Sequence, residues 1–263
     1  MSGEVDTALD ISGLRSPGFL DFARNDSRDD LAQRLFSSAN IYHDVARHSA
    51  AMNMAIDEAL LQSAVVPSIR FYRWHLPALS FGYFGRFLEV SIYAGERDLV
   101  RRWTGGGTVF HGEDLTYAIV IPASDPAFRE SSMTIYEKIH RALADTFKEA
   151  GQHAVVAGED DPAGIAGMQA VKAEGNNCFS NPVRADVMMD GRKIAGAAQR
   201  RTRRGLLQQG SIQAINLNNR FADRFAKTLS SSCNQLKIEE KISQQAREIA
   251  RQKYGTDTWL RKR

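Results

Sequence analysis

Residues 101–122 read RRWTGGGTVFHGEDLTYAIVIP and combine two arginines, three consecutive glycines, a histidine and an apolar, strand-like run. Gly105–Gly107 lack Cβ atoms, so the backbone there can adopt positive φ angles and approach a ligand closely. Successive backbone N–H groups in such a loop form a concave site for an anion or a polarised carbonyl. Arg101 and Arg102 add positive charge beside it. The segment predicts a binding loop, with a plain glycine-rich hairpin turn as the alternative.

The composition is that of an ordinary globular protein. Of the 263 residues, 43% are apolar and 25% are charged, and the net charge is +3. This apolar share is ample for a full core, and the small net charge does not indicate nucleic-acid binding. A local basic cluster, QRRTRRG at 199–205, is either a solvated face or a docking patch for an acidic partner.

The two cysteines, Cys178 and Cys233, show neither the spacing of a zinc site nor that of a disulfide framework. The N-terminus has no basic region followed by an apolar stretch, so no signal peptide is expected. No apolar run approaches the roughly 18–20 residues that a membrane span needs. We therefore expect a cytoplasmic protein that binds neither nucleic acid nor membrane.

Apolar periodicity and turn signals predict a mixture of helices and strands. Helices are predicted at 50–64, near 86–95, at 132–150, near 219–229 and near 238–253, and strands at 68–74, 78–84, 98–103, within 108–122 and at 205–215. No regular βαβ alternation connects them. The pattern predicts an α+β fold with a mixed or antiparallel sheet flanked by helices, in one domain at 41–263 that follows an N-terminal extension at 1–40.

A second hairpin is predicted at Asp190-Gly191, a dipeptide typical of two-residue turns. Met188 then opposes Lys193 across the turn. Asp186, Met188, Lys193 and Ala195 share one face of this predicted hairpin. The lysine head would lie above a partly apolar surface with Asp186 in diagonal range, where it is either desolvated or paired. The alternative is an exposed hairpin lysine.

Several separated motifs in a fixed order resemble the biotin/lipoate protein ligase superfamily. These motifs are NMAIDEALL (53–61), RFYRW (70–74), RRWTGGGTVFHGEDLTY (101–117) and DGRKIAGAAQRRTRRGLLQQGSI (190–212). The resemblance covers about residues 41–215 and is strongest to the octanoyltransferase branch that has a cysteine shortly before the DGRKIAG hairpin. It implies a fold related to class II aminoacyl-tRNA synthetases. It also implies acyl transfer onto a lysine of a small lipoyl domain.

The same resemblance implies roles for individual residues. Cys178 would be the nucleophile, and Lys193 would contact the acyl carbonyl or its activated leaving group. The residues assigned to substrate binding are Arg102, Gly105, Gly106, Gly107, His111, Tyr117, Ala195 and Gly196. An apolar slot for the acyl chain is expected to use Phe71, Trp103 or Tyr117. No metal site is predicted.

The sequence departs from the family pattern in places and leaves structural alternatives open. GAAQ stands where a G-S/N-A pattern is common, and the first forty residues have no counterpart. His111 is interpreted either as a residue that orients the loop or substrate or as a hydrogen-bonded structural histidine. Adjacent helical residues diverge by about 100°, so Asp57 and Glu58 are expected to brace the fold rather than act as a catalytic pair. Cys233 remains a rival thiol.

The implied reaction has two steps and two carrier partners. The Cys178 thiolate would attack octanoyl-acyl carrier protein, while Lys193 and loop N–H groups stabilise the oxyanion. The acceptor lysine of a lipoyl domain, in a 2-oxoacid dehydrogenase or the glycine cleavage H protein, would then take the acyl group. This reaction needs no cofactor. The base that deprotonates the incoming amine is not identified.

Two rival functions remain open at this stage. An ATP-dependent lipoate–protein ligase would use Lys193 to hold a lipoyl-adenylate and would need ATP and magnesium. A non-catalytic protein that binds acyl groups or lipoyl domains would need no thiol. A biotin ligase is disfavoured because RRWTGGG lacks the GRGR-type loop of that branch.

Overall fold

Two sheets, one large and one small, organise the described part of the chain. The structure is a computed structural model that describes residues 34–158, 183–213 and 216–262. The strands are β1 (Ala39–His48), β2 (Ser68–Trp74), β3 (Ala78–Phe81), β4 (Asp98–Arg101), β5 (Val109–His111), β6 (Leu115–Pro122), β7 (Ala154–Val156), β8 (Val187–Met189), β9 (Arg192–Thr202), β10 (Gly205–Ile212) and β11 (Cys233–Leu236). The helices are α1 (Ala50–Ser63), α2 (Phe87–Val90), α3 (Ser132–Glu149), α4 (Phe221–Leu229), α5 (Glu240–Ile249) and α6 (Asp257–Leu260).

The large sheet has eight strands in the order β11-β1-β2-β6-β10-β9-β8-β7, and the small sheet has the order β4-β3-β5. In the large sheet β1 pairs in parallel with both β11 and β2, whereas the remaining pairs are antiparallel. In the small sheet β3 is parallel to β4 and antiparallel to β5. The predicted α+β fold with a mixed sheet is confirmed.

Helices cover both faces of the large sheet, and β6 contributes side chains to the apolar core on each face. Ile119 and Ile121 belong to the core under α3 and α4, whereas Ala118 and Val120 belong to the core under α1 and α5. Successive side chains of a strand point to opposite faces. A strand covered on both sides therefore needs a continuous apolar run, which explains the sequence YAIVIP at the end of the glycine-rich segment.

The predicted elements with strong local signals are found. The helix predicted at 50–64 is α1, and the Oγ atom of Ser49 caps it by accepting a hydrogen bond from the Met52 amide. The strand predicted at 68–74 is β2. The helix predicted near 86–95 is shorter, since α2 has a single turn and continues only as a 3-10 segment at Ser91–Tyr93.

Three strands of the large sheet are missing from the prediction, namely β1, β7 and β11. β1 mixes apolar residues with two histidines, an aspartate and an arginine, so its periodicity is weak. Residues Arg34–Arg263 form one compact unit, and the side chain of Phe36 is buried in its core. Residues 1–33 of the predicted extension lie outside the described residues, so the proposed boundary at residue 40 stays a prediction.

A buried histidine makes the stability of this fold depend on pH. The Nδ1–H of His140 donates to the carbonyl oxygen of Ala185 at 2.5 Å, and its Nε2 accepts from the hydroxyl of Tyr117 at 3.0 Å. Burial lowers the pKa of His140 from 6.5 to about 4. The unfolded chain therefore binds this proton at a higher pH than the folded chain does.

We expect the His140 contribution to the free energy of unfolding to be complete above pH 6.5 and to fall as the pH drops toward 4. The loss amounts to about 3 kcal/mol, at about 1.4 kcal/mol per pKa unit. Urea unfolding at pH 7 and at pH 4.5 measures it. His140→Gln should remove this part of the pH dependence, and an equal slope in the two proteins would contradict the assignment.

Candidate active site

The side chain of Arg102 stabilises the glycine loop through hydrogen bonds to the loop backbone. Its Nη2 donates to the carbonyl oxygens of Gly105 and Gly107 at 2.9 and 2.7 Å. Gly106 has a φ of 82°, in the left-handed region that favours glycine. The Arg102 guanidinium thus fixes the loop by holding its carbonyls. A substrate contact by Arg102 remains a prediction.

His111 lies in a chain of buried polar groups. Its Nδ1 is 2.8 Å from Oδ2 of Asp114, and its Nε2 is 2.7 Å from Oγ of Ser80. A carboxylate only accepts, so Nδ1 carries the proton and Nε2 accepts from the Ser80 hydroxyl. Burial lowers the pKa of His111, against the opposing effect of Asp114. The ring also stacks on Trp74 with centroids 4.0 Å apart, so both ring nitrogens and one ring face of the histidine have partners.

Lys193 and Asp186 form a buried ion pair. Nζ of Lys193 is 2.7 Å from Oδ2 of Asp186, and the two side chains are 2% and 0% exposed. Asp186 also accepts from the hydroxyl of Tyr136 at 2.7 Å and from the amide of Val183 at 2.7 Å. A paired, hydrogen-bonded carboxylate in this position holds the ammonium group in one place. Of the alternatives left open for this hairpin lysine, desolvated, paired or exposed, the structure shows a lysine that is both buried and paired.

The hairpin itself departs from the predicted register by one residue. Asp190 and Gly191 form the turn with φ angles of 49° and 72°, and Met188 opposes Lys193 as predicted. Beyond this pair, a β-bulge makes Val187 oppose Ala195. The extra residue in β9 ends the simple alternation, so the predicted common face that included Ala195 is wrong.

A pocket with about 430 Å³ of empty space, part of it open to solvent, adjoins these groups. Its lining residues are Met54, Tyr72, Trp74, Ser80, Arg102, Val109, His111, Thr116, Lys193, Gly196, Ala197, Ala198, Gln209, Gly210 and Ser211. Polar side chains among them bond to carboxylates behind the pocket wall: Ser211 donates to Asp114 at 2.7 Å, and Gln209 donates to Asp57 at 2.6 Å. Apolar atoms are therefore left to form much of the wall.

The pocket brings together four of the residues predicted from sequence, namely Arg102, His111, Lys193 and Gly196. The glycine loop borders it, because a Cβ atom on Gly106 would lie 3.3 Å from Cβ of Ala198 and 3.4 Å from Nη2 of Arg102. Ala195 and Tyr117 instead belong to the core under α3 and α4. Cys178 lies outside the described residues.

Other predicted residues have structural partners. Phe71 belongs to the core on the face opposite α1, and Trp103 is half-buried against the core under α1. Glu58 contacts Lys253 and the hydroxyl of Tyr254, each at 2.6 Å, as expected for a residue that braces the fold. Cys233 begins β11, and burial raises the pKa of its thiol, which disfavours a nucleophilic thiolate there.

Residues 49–252 match the family described as the lipoyl protein ligase A/B catalytic domain. The chain belongs to this family. The octanoyltransferase LipM of Geobacillus kaustophilus is 36% identical over 173 residues, which cover 62% of this chain and 60% of that protein. The octanoyltransferase LipM of Macrococcus caseolyticus is 34% identical over 193 residues, which cover 69% of this chain and 68% of that protein. The chain thus spans less than two thirds of the length of the first of these relatives.

Solved structures of lipoate protein ligases share the fold. A protein of T. acidophilum, described as a candidate lipoate protein ligase and solved with lipoic acid, has a TM-score of 0.66 at 21% identity, covering 85% of this chain and 98% of that one. The bi-partite lipoate protein ligase of Thermoplasma acidophilum, described with its E2 lipoyl domain, has a TM-score of 0.61 at 20% identity, covering 86% and 96%. The fold predicted from the family resemblance is therefore confirmed.

Several site residues of this family member were not singled out from sequence. Ser80, Asp114, Tyr136 and Gln209 contribute to the polar network through partners that are mostly distant in the chain. Only Asp114 carried a local signal, three residues after His111.

In the part of the chain that the structure describes, no cluster of His, Cys, Asp and Glu could hold a metal ion. The described helices are all too short or too polar to cross a membrane.

Gly82 packs directly against the glycine loop and gives a test of its position. A Cβ atom on Gly82 would lie 1.9 Å from the carbonyl oxygen of Gly106. We expect Gly82→Ala to displace the loop and to lower the free energy of unfolding by about 1–3 kcal/mol. The matched control is Gly95→Ala, because a Cβ atom there meets nothing within 4 Å. Thermal unfolding of both variants measures the effect, and equal melting temperatures would contradict this packing.

Proposed function

We propose that this protein transfers an octanoyl group from acyl carrier protein to the acceptor lysine of lipoyl domains, through a thioester on Cys178. Relatives at 34–36% identity bear the name octanoyltransferase, which supports the reaction. The observation that carries the proposal is the buried ammonium group of Lys193. It is paired with Asp186 at 2.7 Å and lines a pocket beside the glycine loop.

In the first step, the thiolate of Cys178 attacks the carbonyl carbon of the octanoyl thioester. A carbon–sulfur bond to Cys178 forms, and negative charge develops on the carbonyl oxygen. Lys193 and backbone N–H groups of Gly105–Gly107 stabilise this charge, and a fixed donor of this kind is worth a factor of about 100 to 1000 in rate. The bond to the carrier's sulfur then breaks, and the departing thiolate takes up a proton.

In the second step, the deprotonated ε-amine of the acceptor lysine attacks the enzyme thioester. An amide bond forms, the amine loses a proton, and Cys178 leaves as a thiolate that is ready for another cycle. Lys193 stabilises the same oxygen again. A covalent intermediate lets two carrier proteins use one site in turn, because neither has to be present when the other reacts.

The octanoyl chain needs an apolar channel. Burial of about six methylenes contributes roughly 5 kcal/mol, at about 0.8 kcal/mol each. Met54, Trp74 and Val109 line the pocket and offer such contacts. These residues replace Phe71 and Tyr117 in the proposal, since both of those belong to the core on the opposite face of the sheet.

The proposal also names the partners and the setting. The donor is acyl carrier protein, and the acceptors are lipoyl domains of 2-oxoacid dehydrogenases or the H protein of glycine cleavage. The reaction exchanges a thioester for an amide, so it needs neither ATP nor another cofactor. We place it in the cytoplasm, in agreement with the expectation from the sequence.

A two-arm assay tests the proposal. In the first arm, the protein is incubated with octanoyl-acyl carrier protein and an unmodified lipoyl domain without nucleotide. The second arm supplies free octanoate or lipoate with ATP and magnesium. We expect the lipoyl domain to gain one octanoyl group, measured by intact mass, in the first arm alone. Modification only in the second arm would overturn the proposal in favour of a ligase, and modification in neither would favour a binding protein.

A further inference from the structure

An exposed apolar stripe lies on the short segment that follows β3. Phe84, Leu88 and Ile92 are 84%, 81% and 76% exposed. Phe84 lies in the turn before α2, Leu88 lies in α2, and Ile92 lies in the 3-10 continuation of α2. Leu88 and Ile92 are four residues apart, so they lie on the same side of this helical segment. Large apolar side chains grouped on a surface mark an interaction site more often than single exposed ones do.

This stripe adjoins the candidate active site. Tyr83, next to Phe84, donates its backbone N–H to the carbonyl oxygen of Thr104 at 2.9 Å, and Gly82 packs against Gly106. The start of the stripe is therefore tied to the loop that borders the pocket.

Basic side chains surround the beginning of the stripe. Nζ of Lys262 is 2.7 Å from the hydroxyl of Tyr83, and the Arg200 guanidinium lies 5.2 Å from the centre of that ring. The hydrogen bond from Lys262, with the nearby charges of Lys262 and Arg200, lowers the pKa of Tyr83. Arg86, between Phe84 and Leu88 in sequence, is exposed.

The basic side chains Arg86, Arg200 and Lys262 form a rim at the beginning of the stripe. Only part of the basic cluster predicted at 199–205 contributes to this rim. Arg200 stacks over Tyr83 and Trp103, whereas Arg201 donates to the carbonyl oxygens of Phe128 and Glu130. Adjacent residues of a strand point to opposite faces, and β9 therefore sends its arginines to two different surfaces. Of the two arginines, Arg200 is therefore the one to which the predicted docking patch for an acidic partner applies.

The rim is held rigidly by a buried arginine. Arg101 donates to the carbonyl oxygens of Tyr83 and Gly85 at 2.8 and 2.7 Å, and to those of Leu260 and Lys262 at 3.0 and 2.7 Å. One guanidinium thus joins the start of the stripe to the segment that carries Lys262. A preorganised surface loses little conformational entropy when a partner binds.

We propose that Phe84, Leu88 and Ile92, with Arg86, Arg200 and Lys262, form the docking surface for the acidic face of the carrier protein that delivers the acyl thioester. This inference rests on the proposed function. The positive rim favours an acidic partner and speeds its association. A second copy of this chain is disfavoured, because a two-fold interface places the same basic rims against each other.

The test compares two donors that deliver the same octanoyl group. One is octanoyl-acyl carrier protein, and the other is the octanoyl thioester of N-acetylcysteamine, which has no protein surface. Arg86→Glu and Leu88→Asp alter the rim and the stripe outside the pocket. One control is Arg224→Glu in α4, on the sheet face covered by α3. The other is Val65→Asp, because Val65 is 80% exposed and lies just before β2, at the end of that strand remote from β3.

We expect each docking variant to lower kcat/KM for octanoyl-acyl carrier protein by about tenfold at low ionic strength, with less loss at high salt for Arg86→Glu. The small thioester should react equally with all proteins, and the control variants should match the wild type with both donors. Equal rates for the carrier in docking and control variants would overturn the inference alone. Loss of binding to anionic lipid vesicles, with carrier kinetics unchanged, would reassign the surface to a membrane. Failure of the wild type to react with either donor would overturn the proposed function as well.

Discussion

Lys193→Met is expected to slow acylation of the enzyme by octanoyl-acyl carrier protein by a factor of about 100 to 1000, since it removes a fixed donor to the oxyanion. The substitution also leaves Asp186 as a buried carboxylate without its cation. Removing one partner of a buried pair costs about 3–5 kcal/mol of stability. Single-turnover kinetics followed by intact mass measure the first effect, and urea unfolding measures the second.

The double variant Lys193→Met/Asp186→Asn separates these two effects. The amide removes the buried negative charge and keeps polar contacts with Tyr136 and the Val183 amide. Stability should therefore recover in large part, whereas the acylation rate should stay low. Recovery of the rate along with the stability would show that Lys193 acts only as a partner of Asp186.

Arg70→Met is expected to destabilise the fold more than any surface substitution. The Arg70 guanidinium is 0% exposed and bonds to Asp57 at 2.8 Å and to Asp44 at 2.7 Å, as well as to Asn53. Without it, Asp57 is a fully buried carboxylate with no cation beside it. We expect a loss of about 3–5 kcal/mol in the free energy of unfolding, which lowers Tm by roughly 6–20 °C in a domain of this size.

The matched control is Arg251→Met, which breaks the exposed pair between Arg251 and Glu248. Solvent screens such pairs, so Tm should not change measurably. Differential scanning calorimetry of both variants provides the comparison. Similar melting temperatures for Arg70→Met and the wild type would contradict a structural role for the buried network around Arg70.

Elements with a strong local pattern could be predicted from the sequence. The helix at 50–64 has a capping serine before it and a proline shortly after it, and the strand at 68–74 contains an isoleucine and three aromatic residues, which favour strands. The turn at Asp190-Gly191 needs two positive φ angles, which this dipeptide adopts readily. From that turn, the contact between Lys193 and Asp186 could be anticipated even though the bulge was not.

The remaining site could not be predicted, because its contacts join residues that are far apart in the chain. Ser80 meets His111 only because β3 pairs with β5. Gln209 reaches Asp57 only when β10 packs under α1. The strand β1 has no clear alternation of its own, and β11 pairs with it in parallel, which depends on the whole chain. Such pairings leave no local signal in the sequence.

The most direct test of the central claim is peptide mapping of the protein after incubation with octanoyl-acyl carrier protein alone. We predict one octanoyl group on the peptide that contains Cys178, removable by hydroxylamine as a thioester is, and absent from Cys178→Ser. A Cys233→Ser control should still be acylated. An octanoyl group on Cys233, or an equal gain of mass in Cys178→Ser, would contradict the account.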